Sequence, residues 1–313
     1  MSDMDALIAE RERSWLDHPI IMECAILPTR TVKDAVARTM LASRKARASI
    51  SFWADPLTGK SSCIQAIVKA VLNKYPGAGI LSLESVEDTN QAEGRLLTSI
   101  LTSINFAHRV DRELAGKRDQ VKRSLIAMSG PERRIFIIID EAQEITDDEY
   151  GWLKAVINGL CTSGIKVCTI LFGQRELVTR KAELKANGRS DLYERFLKGL
   201  MEFRGVRAQA DMDAICDALD CHSEYPAGSG WTYTRFLFPR AYDSGFRFKS
   251  LSAMVWEKIK EHVPSTMLKK GLPMDVVAAL IANLCLECRH VDAPSFVPTE
   301  PMINKALRAA LRD

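Results

Sequence analysis

No apolar run in these 313 residues approaches the ~20 residues needed to span a bilayer as a helix, so no membrane partner is expected. The opening MSDMDALIAERER is acidic and Arg-containing and lacks the apolar region of a secretory leader, so a cytoplasmic location is expected. There is no internal repeat and no low-complexity tract. The formal net charge of +3 is too small to announce nucleic acid by itself, although clustered bases can still build a local surface for anions. The chain also lacks a disulfide framework. Its cysteines, Cys24, Cys63, Cys161, Cys168, Cys216, Cys221, Cys285 and Cys288, are scattered through apolar segments of a long chain and are read as reduced. Cys216/Cys221-His222 and Cys285-x-x-Cys288-x-His290 have the look of zinc half-sites. Both lie in helix-like runs, where that spacing also arises from one buried face, and buried thiols are expected.

What is present is an alternation. Apolar segments of strand type fall at Ala48–Trp53, Ile80–Leu83, Ile135–Ile139, Lys166–Phe172 and Met201–Val206. Helix-like segments fall between them at 62–75, 90–107, 108–128, 150–161 and 176–186. That order predicts an α/β fold with a parallel five-stranded sheet flanked by helices, and ligands at the carboxyl ends of the strands. Residues 1–45 read as an amino-terminal arm and helix that lies on something, and 46–208 as the α/β core. Beyond Ala208 the strand signals vanish, and 209–313 reads as an all-helical lid with helices at 211–221, 250–262, 274–290 and 300–312.

Between the first strand and its helix stands Ala54-Asp55-Pro56-Leu57-Thr58-Gly59-Lys60-Ser61, followed by Ser62. It fits G-x-x-x-x-G-K-[ST] at every fixed position but the first, in the strand–loop–helix context that the motif demands. The backbone N–H groups of such a loop cradle phosphates at a helix amino terminus. Lys60 would reach the β- and γ-phosphates of ATP, and Ser61 would ligate Mg²⁺. Ala54 in place of Gly adds a methyl and removes easy access to positive φ.

The unbroken run Ile135–Ile139, of the kind expected in a parallel strand covered on both faces, ends in Asp140-Glu141. Asp140 would hold the metal, and Glu141 would orient and polarise the water that attacks the γ-phosphate. At the end of the fourth strand Gln174 offers an amide to the γ-phosphate or the water. Arg195, with Arg189 nearby, is a candidate arginine finger acting on a neighbouring subunit's nucleotide; the other reading is an ion pair with Glu194 or Asp191. Arg247 is a candidate nucleotide contact from the helical lid.

Taken together, Ala-x-x-x-x-Gly-Lys-Ser61, Ile-Asp-Glu-Ala-Gln143, Leu-Phe-Gly-Gln-Arg-Glu-Leu177, Glu-Arg-Phe196 and Pro239 to Arg247 resemble the AAA+ ATPases of transposition systems, TniB and TnsC, and more distantly MuB, over roughly residues 20–260. Secretion-linked ATPases of the ExeA type share two of these details. The resemblance implies a P-loop AAA+ domain with a helical lid. It further implies a homo-oligomer, ring or filament, that assembles with ATP on double-stranded DNA, recruits a transposase and receives a signal from a targeting protein. In that family, loops after the second strand track the phosphate backbone, which makes Lys117, Arg118, Lys122 and Arg123 candidates for DNA contacts; a solvated helix of mixed charge explains them equally. The aromatic-rich stretch from Tyr225 to Phe248 reads as the core and connections of the lid or as a stacking surface. A nucleotide-gated scaffold, or a defence- or secretion-type switch that never needs DNA, is the alternative function, and a small-molecule kinase on the same loop is disfavoured.

Overall fold

The computed structural model describes residues 3–85 and 91–312. In chain order the elements are α1 (Asp3–Ser14), α2 (Arg30–Ala42), β1 (Arg47–Trp53), α3 (Lys60–Lys74), β2 (Gly79–Glu84), α4 (Glu93–Ser103), α5 (Leu114–Met128), β3 (Arg134–Asp140), α6 (Asp147–Thr162), β4 (Lys166–Gly173), α7 (Glu176–Ala186), α8 (Ser190–Leu192) and β5 (Leu200–Glu202). Then come α9 (Gln209–Cys221), α10 (Tyr233–Leu237), α11 (Pro239–Asp243), α12 (Ser252–His262), α13 (Ser265–Lys270), α14 (Met274–Cys288) and α15 (Glu300–Ala310). Two compact units emerge: 34–56 with 63–203, and 1–33 with 57–62 and 204–313.

The first unit holds the five-stranded sheet, in the order β2-β3-β4-β1-β5 with every pairing parallel. Ile135–Ile139 of β3 are at most 2% exposed, because β3 is hydrogen-bonded on both sides and covered on both faces. Edge strand β2 instead alternates, burying Leu81 and Leu83 and exposing Ser82 and Glu84. The helix expected over 90–107 is shorter, and residue 90 lies outside the described residues. The helix expected over 108–128 starts at Leu114. Ahead of it the Asp111 carboxylate accepts the Glu113 N–H at 2.9 Å, and Gln120 bonds the Asp111 N–H and the Arg109 carbonyl. These local bonds give the backbone an alternative to a helical turn. Strand β5 stops at Glu202 rather than Val206. Phe203 makes the last bond to the sheet, to the Trp53 carbonyl at 2.7 Å, after which Val206 forms an antiparallel bridge with Leu272.

The second unit is mostly helical. Residues of α1 and the segment behind it, Leu7, Trp15, Ile20 and Leu27, are buried in one hydrophobic cluster with Met212, Phe236, Phe238, Leu284 and Leu307. The arm therefore lies on the C-terminal helices. Two guanidiniums lie over the Trp15 ring, Arg11 at 4.6 Å and Arg289 at 5.0 Å from its centroid. Within the aromatic-rich stretch, Phe236, Phe238, Phe246 and Phe248 are all buried; the last three pack edge-on or tilted against one another, and Phe236 packs edge-on against Tyr225. These four rings belong to the hydrophobic core of the mostly helical unit, while Tyr225, Trp231, Tyr233 and Tyr242 are half-buried. Cys285 and Cys288 lie buried in α14, all eight cysteines are free, and no group of three or more His, Cys, Asp or Glu side chains placed to hold a metal occurs among the described residues.

His18 fastens the arm. It is fully buried, its Nδ1 accepts the Ile20 N–H at 3.1 Å, and its ring lies 4.7 Å from Tyr225, 4.7 Å from Tyr233 and 5.0 Å from Phe236. Burial lowers its pKa from 6.5 to about 3, since the charged ring would lose its hydration. The unfolded chain therefore binds the extra proton as pH falls below 6.5, and stability present above that pH is lost towards the folded-state value. Urea unfolding followed between pH 7 and pH 4 should show a loss approaching about 1.4 kcal/mol per pH unit from this site, and His18→Phe should flatten the slope by that amount.

Candidate functional site

The loop after β1 is shaped by two residues of positive φ, Leu57 at 62° and Gly59 at 92°. Ala54 is not among them. It is fully buried, and its N–H donates to the Gly173 carbonyl at 3.0 Å, prolonging the β1–β4 ladder. The methyl where the motif has Gly thus sits in ordinary extended pairing, and the departure imposes no φ strain. Leu57 carries the strain instead, with a side chain 65% exposed that buries little in return. Lys60 and Ser61 form the first turn of α3, so the unpaired N–H groups of a helix start lie where the motif requires them.

Leu57, Thr58, Gly59, Lys60, Ser61 and Ser62 line a cavity of about 300 Å³, closed by Glu23, Ala25, Leu27 and Val32 on one side and by Met274, Asp275 and Ala278 of α14 on another. That volume is at the lower end of ligand pockets. Ala54, Asp55 and Pro56 belong to the approach to the loop and do not line it. The Met274 N–H donates to the Leu57 carbonyl at 2.8 Å, and a Cβ on Gly59 would stand 3.1 Å from Met274 Cγ. The start of α14 therefore rests directly on the loop, and glycine at 59 serves both its φ and this contact. Arg247 does not line the cavity. It donates to the Tyr242 and Phe246 carbonyls at 2.8 and 2.6 Å and stacks on the Tyr242 ring at 3.5 Å.

Asp140 and Glu141 stand at the carboxyl end of β3, half-buried. Glu141 is left-handed, with φ 51° and ψ 41°, and its N–H bonds Asp140 Oδ1 at 2.9 Å. Its Oε2 accepts two amide donors, Gln143 Nε2 at 2.6 Å and Gln174 Nε2 at 2.9 Å. Gln143 Oε1 in turn accepts the Gln174 backbone N–H at 2.8 Å. One glutamine thus ties the end of β3 to the end of β4. A Cβ on Gly173 would come within 2.9 Å of Gln143 Oε1, so glycine is what lets this amide approach. Gln143 was visible in the sequence only as part of a family motif; nothing in its local pattern marked it as a partner of Glu141. The short turn after Glu141 is pinned by Tyr150, whose hydroxyl donates to the Ala142 carbonyl at 3.2 Å, and burial pushes that phenol up. An acid held by two uncharged donors, ending a dry strand beside a second acid, is suited to orienting a water and holding a cation.

Arg195 makes neither of the ion pairs that its sequence neighbours offered. It donates to Asn158 Oδ1 at 2.9 Å, while Glu194 pairs with Lys198 and Asp191 with Lys154 and Arg189. Burial lowers its pKa, and Arg47 beside it lowers it further. In the basic helix, Arg118 is clasped by both oxygens of Glu93 at 2.7 and 2.5 Å, Arg123 pairs with Asp119 and Lys117 reaches the Gly94 carbonyl at 3.3 Å. Lys122 is exposed.

Residues 43–180 match the protein family described as an AAA domain. Among solved structures, the chain is similar to the Aeropyrum pernix ORC2 protein in its ADPNP–ADP complexes, at 12% identity and a TM-score of 0.53 over 94% of this chain and 71% of that one. The ADP form of the same protein aligns at 12% identity and a TM-score of 0.51 over 88% and 66%. A comparison with curated proteins returned no match. The five-stranded parallel sheet flanked by helices, with its mostly helical C-terminal part, is the AAA+ P-loop fold.

Because the strain at Leu57 is a matter of φ, Leu57→Gly should leave the denaturation midpoint unchanged or raised. Leu57→Val, which puts a β-branched side chain in the same conformation, should lower stability by about 1–2 kcal/mol. Urea melts of the two variants check this.

Proposed function

We propose that the chain binds Mg-ATP at residues 54–62 and hydrolyses it, and that the nucleotide cycle drives a DNA-bound regulator of transposition. The observation that carries the hydrolytic half is Glu141, whose carboxylate is held by Gln143 and Gln174 at the end of the fully buried strand β3. Strand β1, which leads into the phosphate-binding loop, ends at the same edge of the same sheet. The ORC2 structures that share the fold are described as ADPNP–ADP and ADP forms, in keeping with a nucleotide in this loop.

Lys60 and the loop N–H groups bind the β- and γ-phosphates, with Met274 and the arm forming walls of the cavity beside them. Ser61 and Asp140 would hold Mg²⁺, which supplies charge neutralisation at the phosphate oxygens when bound. Glu141 orients the attacking water and accepts its proton, and the Gln174 amide fixes the direction of that carboxylate. Arg195 serves as the finger towards a second copy of the chain. Its bond to an uncharged amide, with no carboxylate, leaves its positive charge available to a transition state.

The transposition half is supported by the sequence resemblance from Ala54 to Arg247: assembly with ATP on double-stranded DNA, recruitment of a transposase, and a signal from a targeting protein. One observation favours the second reading, a protein-gated switch without DNA, because Arg118 and Arg123 of the basic helix are neutralised by Glu93 and Asp119. Steady-state ATP hydrolysis with and without non-specific duplex DNA separates the two. Stimulation that fades with salt supports the DNA-bound regulator; turnover indifferent to DNA supports the switch.

The roles of the residues give a sharper expectation. Lys60→Ala should abolish nucleotide binding and nucleotide-dependent assembly together. Glu141→Gln should keep binding within about twofold and assemble normally while turnover falls at least about 100-fold, as measured by fluorescent-nucleotide titration, light scattering and phosphate release.

A further inference from the structure

The two ends of the sheet carry opposite charge. At the carboxyl ends stand Asp55, Glu84, Asp140 and Glu141. The four segments that enter the central strands at the amino ends, residues 43–47, 74–79, 129–134 and 162–166, contain one carboxylate, Glu132, and the exposed bases Arg44, Lys45, Arg47, Lys74, Arg133 and Lys166. The pairing register aligns them. Arg47 is opposite Val167, Lys166 opposite Arg134, and Gly79 opposite Ile135, while the Lys166 N–H bonds the Arg133 carbonyl at 2.9 Å. The four strand starts follow one another in the order β2-β3-β4-β1. At the ~4.8 Å spacing of neighbouring strands, the row is about 14 Å long.

None of these six cations forms an ion pair among the described residues. Their contacts are to neutral groups: Arg47 to Asn158 Oδ1 at 3.1 Å, Arg133 to the Ser163 carbonyl at the end of α6, and Lys74 over the Tyr75 ring at 5.4 Å. Elsewhere on this surface bases usually find acids, as Arg38, Arg118, Lys154 and Lys198 do. A row of six cations with a single carboxylate among them repels itself and draws anions instead.

We propose that this amino-terminal rim of the sheet is a contact surface for the phosphate backbone of duplex nucleic acid, separate from the basic helix 114–128. A duplex carries one charge per ~1.7 Å of axis, so a row of this length faces several phosphates at once. Single strands are disfavoured because the one aromatic ring at the rim, Tyr75, is half-buried and covered by Arg134 at 4.3 Å, which leaves no stacking platform. The contact reads no bases; it sets affinity and its salt dependence. The inference rests on the DNA half of the proposed function and adds the place where the duplex lies.

The test is fluorescence anisotropy of a short labelled DNA duplex of arbitrary sequence, titrated at several salt concentrations without nucleotide and with ATP. Three proteins are compared: the wild type, a rim variant (Lys45→Ala, Arg47→Ala, Lys166→Ala) and a helix variant (Lys117→Ala, Lys122→Ala, Arg123→Ala). The rim variant should lower the slope of log K against log salt by about two to three and bind more weakly at every salt, while its DNA-free ATP hydrolysis stays at the wild-type rate. An unchanged slope in the rim variant overturns the proposal; if the helix variant alone loses affinity, the DNA reading stands without the rim. A wild type that binds no duplex removes both. If polyglutamate competes as well as unlabelled duplex does, the rim is a dock for acidic protein surfaces and the nucleic-acid assignment is wrong.

Discussion

The burial of β3 on both sides and both faces governs where this protein can do chemistry. From Ile135 to Ile139 every residue is buried and apolar, and an ionised group within that run would forfeit its hydration with no partner to replace it. Polar function is therefore pushed to the ends of that apolar run. Asp140 and Glu141 are the earliest positions that can hold a charge, and the left-handed turn at Glu141 swings its carboxylate back to the amides of Gln143 and Gln174. The same constraint acts at the other end of the sheet, where Arg47, Arg134 and Lys166 are the first residues of their strands and the remaining bases precede them. A dry sheet with an acidic edge and a basic edge follows from one rule applied twice.

The loop between β1 and α3 is governed by a different requirement, close approach of backbone. Positive φ at Leu57 and Gly59 turns the chain sharply, and the start of α14 settles onto the turn through one hydrogen bond and the Met274 side chain. The amino-terminal arm supplies the opposite wall with Glu23, Ala25, Leu27 and Val32. Its position is fixed at a distance by the buried His18 and the guanidinium-covered Trp15. Tension between a strained loop and the elements that hold it is usual at functional sites.

What was legible in the sequence was whatever depends on near neighbours. Five strands alternating with helices, the apolar run of β3 and the loop between β1 and α3 all rest on periodicity or on short spacing, and the sheet follows from them. Non-local features were not legible. Nothing near Gln143 announces that its amide reaches Glu141 on one side and the Gln174 backbone on the other. Met274 and Glu23 lie far along the chain from Gly59 yet line one cavity with it. The turn at 108–113 was hidden because Asp111 and Gln120 bond a backbone whose composition alone looks helical. Arg195 looked like half of an ion pair with Glu194 or Asp191, but those acids are engaged by Lys198, Lys154 and Arg189, and an asparagine on α6 takes the guanidinium.

The proposed hydrolytic role of Glu141 depends on the two glutamine amides that hold its carboxylate. Single-turnover cleavage of prebound ATP tests it most directly, in the wild type, Gln143→Ala, Gln174→Ala and the double variant. The expected result is cleavage slowed between about 10- and 100-fold in each single variant. The double variant should be little slower than the worse single one, because both amides serve one carboxylate, and nucleotide affinity should stay within about twofold throughout. Wild-type cleavage in both single variants would contradict the claim, because the carboxylate would then act without the groups that hold it.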